Sequence, residues 1–203
     1  MITIGLIGCG IWGRSILREL QALGVTVKVF DTALDAIADR DPSVKRVGKL
    51  NELSQTEGLI IASPSTTHRS VLEMVLPWQL PIFVEKPLTT SLEDALYLEK
   101  LAPAHVYMMH IWRYHGGIQL LGRLARSGEL GLVTALRSIR SNWTSPRTDT
   151  DSIRNLAPHD LTIALEILGY LPAPKAAVIE WHQGIARGMT ALLGDSPFVQ
   201  IEV

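Results

Sequence analysis

Cysteine is almost absent from this sequence. Cys9 is the single cysteine among 203 residues, so no disulfide can form within the chain and a cysteine-type zinc site lacks its ligands. His110 and His115 lie five residues apart without neighbouring carboxylates, and we predict no metal site. The scarcity of cysteine is also consistent with a reducing compartment, and we expect a cytoplasmic location.

Long hydrophobic runs and an excess of one charge are missing as well. No segment approaches the roughly 18 to 20 unbroken apolar residues that a membrane span requires. The first residues are apolar, but they lack a basic segment and run directly into a glycine motif, so we expect a strand and no signal peptide. The formal net charge is -1 and like charges do not cluster, which argues against a nucleic acid or a membrane surface as a partner.

The first half of the chain alternates short apolar runs with helical spacing. Strands are predicted at 2–7, 25–30, 44–47, 59–62, 82–84 and 106–109, and helices at 12–23, at 68–76 and from Ser91 onward. This alternation predicts a parallel sheet with helices on both faces, the doubly wound α/β class.

After residue 110 the alternation ends. A helix is predicted at 118–126, a strand at 133–141, a polar loop at 142–153, a helix at 159–168, and three strand-like runs between 176 and 203. These segments predict an α+β domain over residues 111–203 with a mostly antiparallel sheet.

The spacing GxGxxG begins at Gly8, between a predicted strand and a predicted helix. Gly8 permits a tight turn, Gly10 lets the backbone approach a pyrophosphate, and Gly13 lets the helix pack closely on the strand. The free N–H groups at the helix start would hold the phosphates. We therefore predict a dinucleotide-binding Rossmann domain over residues 1–110, with Cys9 packed in the loop as a small residue. The predicted cofactor contacts in this loop are Gly8, Gly10, Ile11, Trp12 and Gly13.

Asp31 ends the second predicted strand, 18 residues after Gly13. A carboxylate there can accept hydrogen bonds from the adenosine ribose and would repel a 2′-phosphate, which favours NAD over NADP. NADP stays open because Arg14 lies nearby in the sequence and could meet a phosphate. The alternative is that the glycines form an ordinary turn and that Asp31 is a surface acid.

Three further motifs follow predicted strands or open a predicted helix. They are Ala-Ser-Pro-Ser-Thr-Thr-His at 62–68, Glu-Lys-Pro at 85–87 and Asn-Leu-Ala-Pro-His-Asp-Leu at 155–161. With the glycine motif, their order and spacing resemble the Gfo/Idh/MocA family of dehydrogenases over essentially the whole chain. The third motif is most similar to the nucleotide-sugar branch of that family, the UDP-N-acetylglucosamine-uronate 3-dehydrogenases.

The resemblance implies an NAD-dependent oxidoreductase that transfers a hydride between nicotinamide and a hydroxyl carbon of a sugar or nucleotide-sugar. It implies that Lys86 is the catalytic lysine, which hydrogen-bonds the reacting hydroxyl, and that His159 is the general base. The residues that it places along the cofactor are Ser63, Pro64, His68, Glu85 and Lys86. The structural alternatives are a solvated lysine at a strand end and histidines that merely begin helices.

Two positions depart from the family pattern. Family members usually carry an aspartate four residues before the histidine, where this chain has the catalytic candidate Asn155, and another at the position of Thr162. Asparagine cannot stabilise an imidazolium by charge, so His159 would be a weaker base. The alternative function is therefore an NAD(H)-binding protein with little or no turnover, such as a sensor or a partner subunit. Another reductase or hydrolase on the same scaffold also stays open.

The second half carries three further expectations. Arg113 could bind a substrate carboxylate or form a structural salt bridge, and Asp160 is predicted to cap or charge the start of the helix at 159–168. The family is usually longer, so this C-terminal domain is expected to be shortened, either as part of a longer protein or as a reduced natural form. A shortened sheet would leave an open edge, and we expect a homodimer through the C-terminal sheet.

Overall fold

The structure, a computed structural model, forms two compact units, Met1–Met109 and His110–Val203. It describes residues 2–32, 43–101, 104–142 and 150–203. In these ranges, no helix combines the length and the apolar character needed to cross a membrane.

The first unit contains a parallel sheet with helices between its strands. Its elements are β1 (Thr3–Ile7), α1 (Ile11–Ala22), β2 (Thr26–Phe30), β3 (Val44–Arg46), β4 (Gly58–Ile61), α2 (His68–Val75), β5 (Ile82–Val84), α3 (Leu92–Leu101) and β6 (Val106–Met108). The strand order is β3-β2-β1-β4-β5-β6, and every neighbouring pair is parallel. The predicted doubly wound parallel sheet is therefore confirmed.

Apolar side chains cover both faces of this sheet. Leu6 and Ile7 are neighbours in β1, yet they belong to different buried clusters, because successive side chains of a strand point to opposite faces. Helix α1 supplies Ile16 to the cluster of Leu6, and α2 supplies Val71 to the cluster of Ile7. This two-sided burial explains why the strands have near-continuous hydrophobic sequences.

The second unit contains a mixed sheet and two long helices among its described elements. They are α4 (Gly116–Ser127), β7 (Ala135–Ile139), α5 (Ser152–Leu168), β8 (Pro174–His182), β9 (Ile185–Leu193) and β10 (Phe198–Glu202). The strand order is β7-β10-β9-β8; β7 and β10 are parallel, whereas the other two pairs are antiparallel. The predicted mostly antiparallel sheet is confirmed.

The start of α5 differs from the prediction. The helix begins at Ser152, seven residues before the predicted start at His159, because the Asp151 carboxylate accepts a hydrogen bond from the Arg154 N–H at 2.7 Å and caps it. Pro158 therefore lies inside the helix. The predicted loop at 142–153 is wrong at its C-terminal end, and its part at 143–149 lies outside the described residues.

Candidate cofactor and catalytic site

The glycine loop joins β1 to α1, and two of its glycines are required by the fold itself. A Cβ on Gly8 would lie 2.5 Å from the Ser63 backbone nitrogen, and φ at Gly8 is +89°. A Cβ on Gly13 would collide with the Gly8 carbonyl oxygen. A Cβ on Gly10, in contrast, would meet no atom within 4 Å. The space at Gly10 is therefore free of protein, and it lies at the N-terminus of α1, where backbone N–H groups favour an anion.

Asp31, directly after β2, is bound to this loop. Its Oδ2 accepts a hydrogen bond from the Cys9 N–H at 2.5 Å. The contact brings the carboxylate to the glycine loop at the carboxyl ends of β1 and β2. Burial, followed by the charge of Asp31, raises the pKa of the Cys9 thiol, and Arg14 partly offsets this. A protonated, 3% exposed thiol is suited to packing.

Glu85, directly after β5, connects the Glu-Lys-Pro motif to the glycine loop. Its side chain is 8% exposed, Oε1 accepts a hydrogen bond from the indole Nε1–H of Trp12, and Oε2 accepts one from the Lys86 N–H at 3.1 Å. Lys86 is half-buried next to it, and the peptide bond between Lys86 and Pro87 is cis. The two predicted motifs therefore meet through the Trp12 side chain.

His68, the first residue of α2, is fully buried. Its Nε2 lies 2.9 Å from the Ser63 carbonyl oxygen, and its Nδ1 lies 3.1 Å from the carbonyl oxygens of Pro87 and Leu88. The imidazole thus links the turn after β4 to the turn that carries Lys86. Ser63 and Pro64 lie in the first of these turns, half-buried and exposed respectively.

The first unit brings its predicted cofactor residues to one edge of the sheet. The glycine loop, Asp31, the Ser63–Pro64 turn and Glu85–Lys86 follow β1, β2, β4 and β5, and the strand order changes direction between β1 and β4. In open α/β sheets, ligands bind outside the carboxyl ends of the strands at such a switch point. The open space at Gly10, at the N-terminus of α1, fits the pyrophosphate of a dinucleotide.

In the second unit, the two predicted catalytic residues lie on α5. Asn155 and His159 are four residues apart, which puts them on one face of the helix, and both are half-buried. Because α5 starts at Ser152, His159 lies in its interior and not at its N-terminus. The structural alternative for His159 requires that it begin a helix. Neither His159 nor Asn155 does so.

Asp160 has a different position from the predicted one. It lies within α5, fully buried, so it neither caps nor charges the helix start. Its carboxylate accepts hydrogen bonds from the Ser138 hydroxyl at 2.5 Å and from the Arg140 Nε at 2.8 Å. The Arg140 guanidinium also lies 4.9 Å from the centre of the Trp112 ring. The neighbour of His159 is thereby tied to strand β7.

Sequence reasoning missed Ser138 and Arg140. The available signal was that they occupy alternate positions at the end of a predicted strand and therefore share one face. The sequence predicts either a substrate contact or a salt bridge for Arg113. In the structure, its Nε lies 3.5 Å from the Glu166 Oε2, and its side chain is 54% exposed. This ion pair corresponds to the structural reading, and a substrate contact stays a prediction.

Known proteins match this sequence over much of its length. Residues 2–111 match the Gfo/Idh/MocA oxidoreductase family, described as having an NAD-binding Rossmann fold. The UDP-N-acetylglucosamine 3-dehydrogenase of Acidithiobacillus ferrooxidans is 30% identical over 183 residues, which cover 86% of this chain and 56% of that protein. The inositol 2-dehydrogenase of Leifsonia xyli subsp. xyli is 25% identical over 191 residues, covering 88% of this chain and 56% of that protein. The chain thus spans about half the length of the curated relatives it matches.

Solved structures agree with the fold. A structure of the A. ferrooxidans UDP-N-acetylglucosamine 3-dehydrogenase has a TM-score of 0.80 and 25% identity, covering 99% of this chain and 69% of that one. A myo-inositol dehydrogenase from Corynebacterium glutamicum has a TM-score of 0.84 at 18% identity, covering 100% of this chain and 68% of that one. The match over residues 2–111 includes the glycine loop, Asp31 and the Glu-Lys-Pro motif. This chain therefore belongs to the Gfo/Idh/MocA family of oxidoreductases.

Proposed function

We propose that this protein is an NAD-dependent dehydrogenase that oxidises a hydroxyl carbon of a sugar or nucleotide-sugar, or reduces the corresponding ketone. The observation that carries the proposal is the glycine loop, where Gly10 leaves open space while Gly8 and Gly13 are required by the fold. The substrate class is supported by two relatives, a UDP-N-acetylglucosamine 3-dehydrogenase and an inositol 2-dehydrogenase.

Replacing Gly10 with alanine tests the cofactor site. The added methyl group meets no protein atom within 4 Å, so the free energy of unfolding should be unchanged. The same methyl group would occupy the space assigned to the pyrophosphate, so the affinity for NAD should fall at least about tenfold. Isothermal titration calorimetry with urea unfolding on the same samples gives both results. Unchanged NAD affinity in a normally folded variant would remove the assignment.

The preference for NAD over NADP rests on Asp31. Its carboxylate adjoins the glycine loop, on the side of β2, where an adenosine ribose is expected and where a 2′-phosphate would be repelled. NAD should therefore bind more tightly than NADP. In Asp31→Asn, which keeps an oxygen acceptor for the Cys9 N–H, the difference should shrink. Equal affinities in the unaltered protein would exclude this role.

For the chemical step, we propose that Lys86 orients the reacting hydroxyl by a hydrogen bond and that His159 accepts its proton. A bound nicotinamide supplies the acceptor for the hydride that leaves the carbon. Imidazole is suited to the proton transfer because it ordinarily titrates near neutral pH. In the reverse direction, His159 would return the proton to the oxygen.

Turnover assays test these roles. Absorbance of NADH is followed with inositol and with UDP-sugars as candidate substrates. Lys86→Ala and His159→Ala should each lower kcat by about 10²- to 10⁴-fold, and both should still bind NAD. Lys100→Ala, at the exposed end of α3, is the matched control and should change neither property. Unchanged turnover in the first two variants would assign the chemistry to other residues.

A second candidate is an NAD-binding protein with little turnover, and Asn155 favours it. An amide four residues before His159 on the same helix face cannot stabilise an imidazolium by charge. If this reading is correct, the unaltered protein binds NAD without oxidising any tested sugar, and Asn155→Asp raises turnover. Efficient turnover by the unaltered protein would favour the dehydrogenase instead.

For the assembly, we propose a homodimer through the C-terminal sheet. All nine residues of β8 are exposed, including Val178 at 75% and Trp181 at 63%, and β8 is an edge strand in the described sheet. Such an edge can pair with the same strand of a second copy about a two-fold axis. Light scattering after gel filtration should detect a dimer that Trp181→Glu converts to a monomer. Leu92→Glu, an exposed position on α3, should leave the dimer intact.

A further inference from the structure

We propose that the Trp12 side chain contacts the nicotinamide ring of the bound dinucleotide, and that Glu85 is the positioning residue that holds the indole there. This proposal deepens the cofactor binding proposed above and rests on it. The motif GxGxxG accounts for the glycines, including the approach of the backbone to a pyrophosphate at Gly10, and it requires no particular side chain at residue 12.

The strand order shows where the indole lies. Trp12 is in the first turn of α1, directly after β1, whereas Glu85 follows β5, and β4 separates those two strands. Because the Trp12 Nε1–H donates to the Glu85 carboxylate, the indole extends across the carboxyl end of β4. Asp31 lies on the other side of β1, after β2.

The two halves of a dinucleotide extend to opposite sides of the switch point between β1 and β4. Asp31 lies on the side where the adenosine ribose is expected. The Trp12 indole lies on the side of β4 and β5, next to the half of the cofactor that carries nicotinamide. Lys86, the proposed orienting group for the substrate, is also on this side, directly after Glu85.

Burial indicates that the indole is held but remains accessible. Trp12 is 51% exposed, although its Nε1–H donates a hydrogen bond. Glu85 is only 8% exposed, and its carboxylate also accepts a hydrogen bond from the Lys86 N–H. A buried carboxylate fixed by two donors gives the ring a defined position. Its remaining surface can pack against a planar ring, and an electron-rich indole favours the positive charge of oxidised nicotinamide.

The experiment compares NAD⁺ with ADP-ribose, which lacks the nicotinamide ring but keeps the adenosine, the pyrophosphate and both riboses. In Trp12→Ala, calorimetry should show NAD⁺ affinity lowered about threefold to tenfold, the range expected for one aromatic contact. The affinity for ADP-ribose should stay within about twofold, which also shows that the variant folds. Tyr170→Ala, an aromatic residue of the second unit that is 51% exposed like Trp12, is the matched control and should leave both affinities unchanged.

A double-mutant cycle tests the role of Glu85. Glu85→Gln should weaken NAD⁺ binding in the unaltered background because the neutral amide holds the indole less firmly than a carboxylate. It should cause no additional loss in the Trp12→Ala background, where there is no indole to position. An equal loss in both backgrounds would show that Glu85 does not act through Trp12 and would overturn its assignment.

The outcomes separate this inference from the proposed function. If the unaltered protein binds neither NAD⁺ nor ADP-ribose, the dinucleotide site itself is wrong and the inference is overturned with it. If the unaltered protein binds both but Trp12→Ala weakens both equally, the indole only shapes the loop, and this inference alone is overturned. The same holds if Trp12→Ala changes neither affinity.

Discussion

The two units bury their sheets in different ways. In the first, the neighbours Leu6 and Ile7 are 0% and 3% exposed and belong to separate clusters on opposite faces of the sheet. In the second, Val199 and Ile201 of β10 are buried, but Gln200 between them is only half-buried. All nine residues of β8 are exposed. Among the described residues, the first unit therefore has two buried apolar clusters, one on each face of its sheet, whereas the second unit has one.

The buried polar groups of the two units also have different partners. In the first unit, the imidazole of His68 contacts backbone carbonyl oxygens, and Glu85 accepts from an indole and from a backbone N–H. In the second unit, the fully buried Asp160 is bound by the guanidinium of Arg140. Because the Asp160 carboxylate is fully buried, loss of its Arg140 partner should be strongly destabilising.

The largest predicted effect follows from that ion pair. Arg140→Ala leaves the Asp160 carboxylate buried without its cation, which should lower the free energy of unfolding by about 3–5 kcal/mol. The variant also loses the contact between the guanidinium and the Trp112 ring. Urea unfolding gives the magnitude, and hydrogen exchange in peptides from residues 110–203 shows where the loss occurs.

Arg137→Ala is the matched control on the same strand. Arg137 lies 3.6 Å from the Glu202 carboxylate, but the two side chains are 62% and 46% exposed. Exposed pairs contribute about 0–1 kcal/mol, so this variant should be close to the unaltered protein. If the two arginine variants lose equal stability, burial of Asp160 is not what distinguishes the second unit.

The next effect concerns the glycine loop of the first unit. In Gly8→Ala, the methyl group would lie 2.5 Å from the Ser63 nitrogen, at a residue with φ of +89°. Both the clash and the left-handed backbone are unfavourable for alanine, and together they should cost about 2–4 kcal/mol. Hydrogen exchange should rise in peptides that contain β1 and β4.

Gly10→Ala sharpens this prediction because the two glycines are two residues apart in one loop. Its methyl group meets no atom within 4 Å, so its unfolding free energy should stay within about 0.5 kcal/mol of the unaltered protein. A large loss of stability in Gly10→Ala would mean that all glycines of the loop serve the fold. The separation between a structural and a cofactor glycine would then disappear.

Most of the fold could be predicted because its signals are local. The β-α alternation gives the parallel sheet of the first unit, and Gly128 ends α4 in a left-handed conformation where the sequence predicts a stop. The predicted start of α5 was wrong because the polar residues around Pro158 resemble a helix start. The residue that caps the helix is Asp151. Capping depends on one side-chain contact, and several residues in this stretch could have made it.

The sequence predicts the motifs of the candidate site but not the side-chain contacts between them. Gly8, Gly10, Gly13 and Asp31 have a characteristic spacing, so the sequence is enough to propose their roles. The bonds from Trp12 to Glu85 and from Arg140 to Asp160 join residues 73 and 20 positions apart. Such pairs depend on strand order and register, which local patterns do not specify. His68 illustrates the same limit, since its full burial depends on turns after two different strands.

The smallest predicted effect is the pH dependence due to Cys9, which lies in the first unit and has no counterpart in the second. Burial and Asp31 raise the pKa of its thiol in the folded protein. The folded state therefore holds this proton more tightly than the unfolded state does. The resulting stability is fully present below the ordinary thiol pKa of about 8.5 and is lost as the pH rises through the folded value.

Comparison with Cys9→Ala isolates this contribution, because tyrosines and lysines titrate in the same pH range in both proteins. The unfolding free energy of the unaltered protein should fall more steeply above about pH 8.5 than that of the variant. The thiol should also react slowly with iodoacetamide at pH 8 in the folded protein, since the thiolate is the reactive form. Identical pH profiles together with rapid labelling would show that Cys9 is an accessible thiol. The glycine loop would then be more open to solvent than the buried cluster around Leu6 indicates.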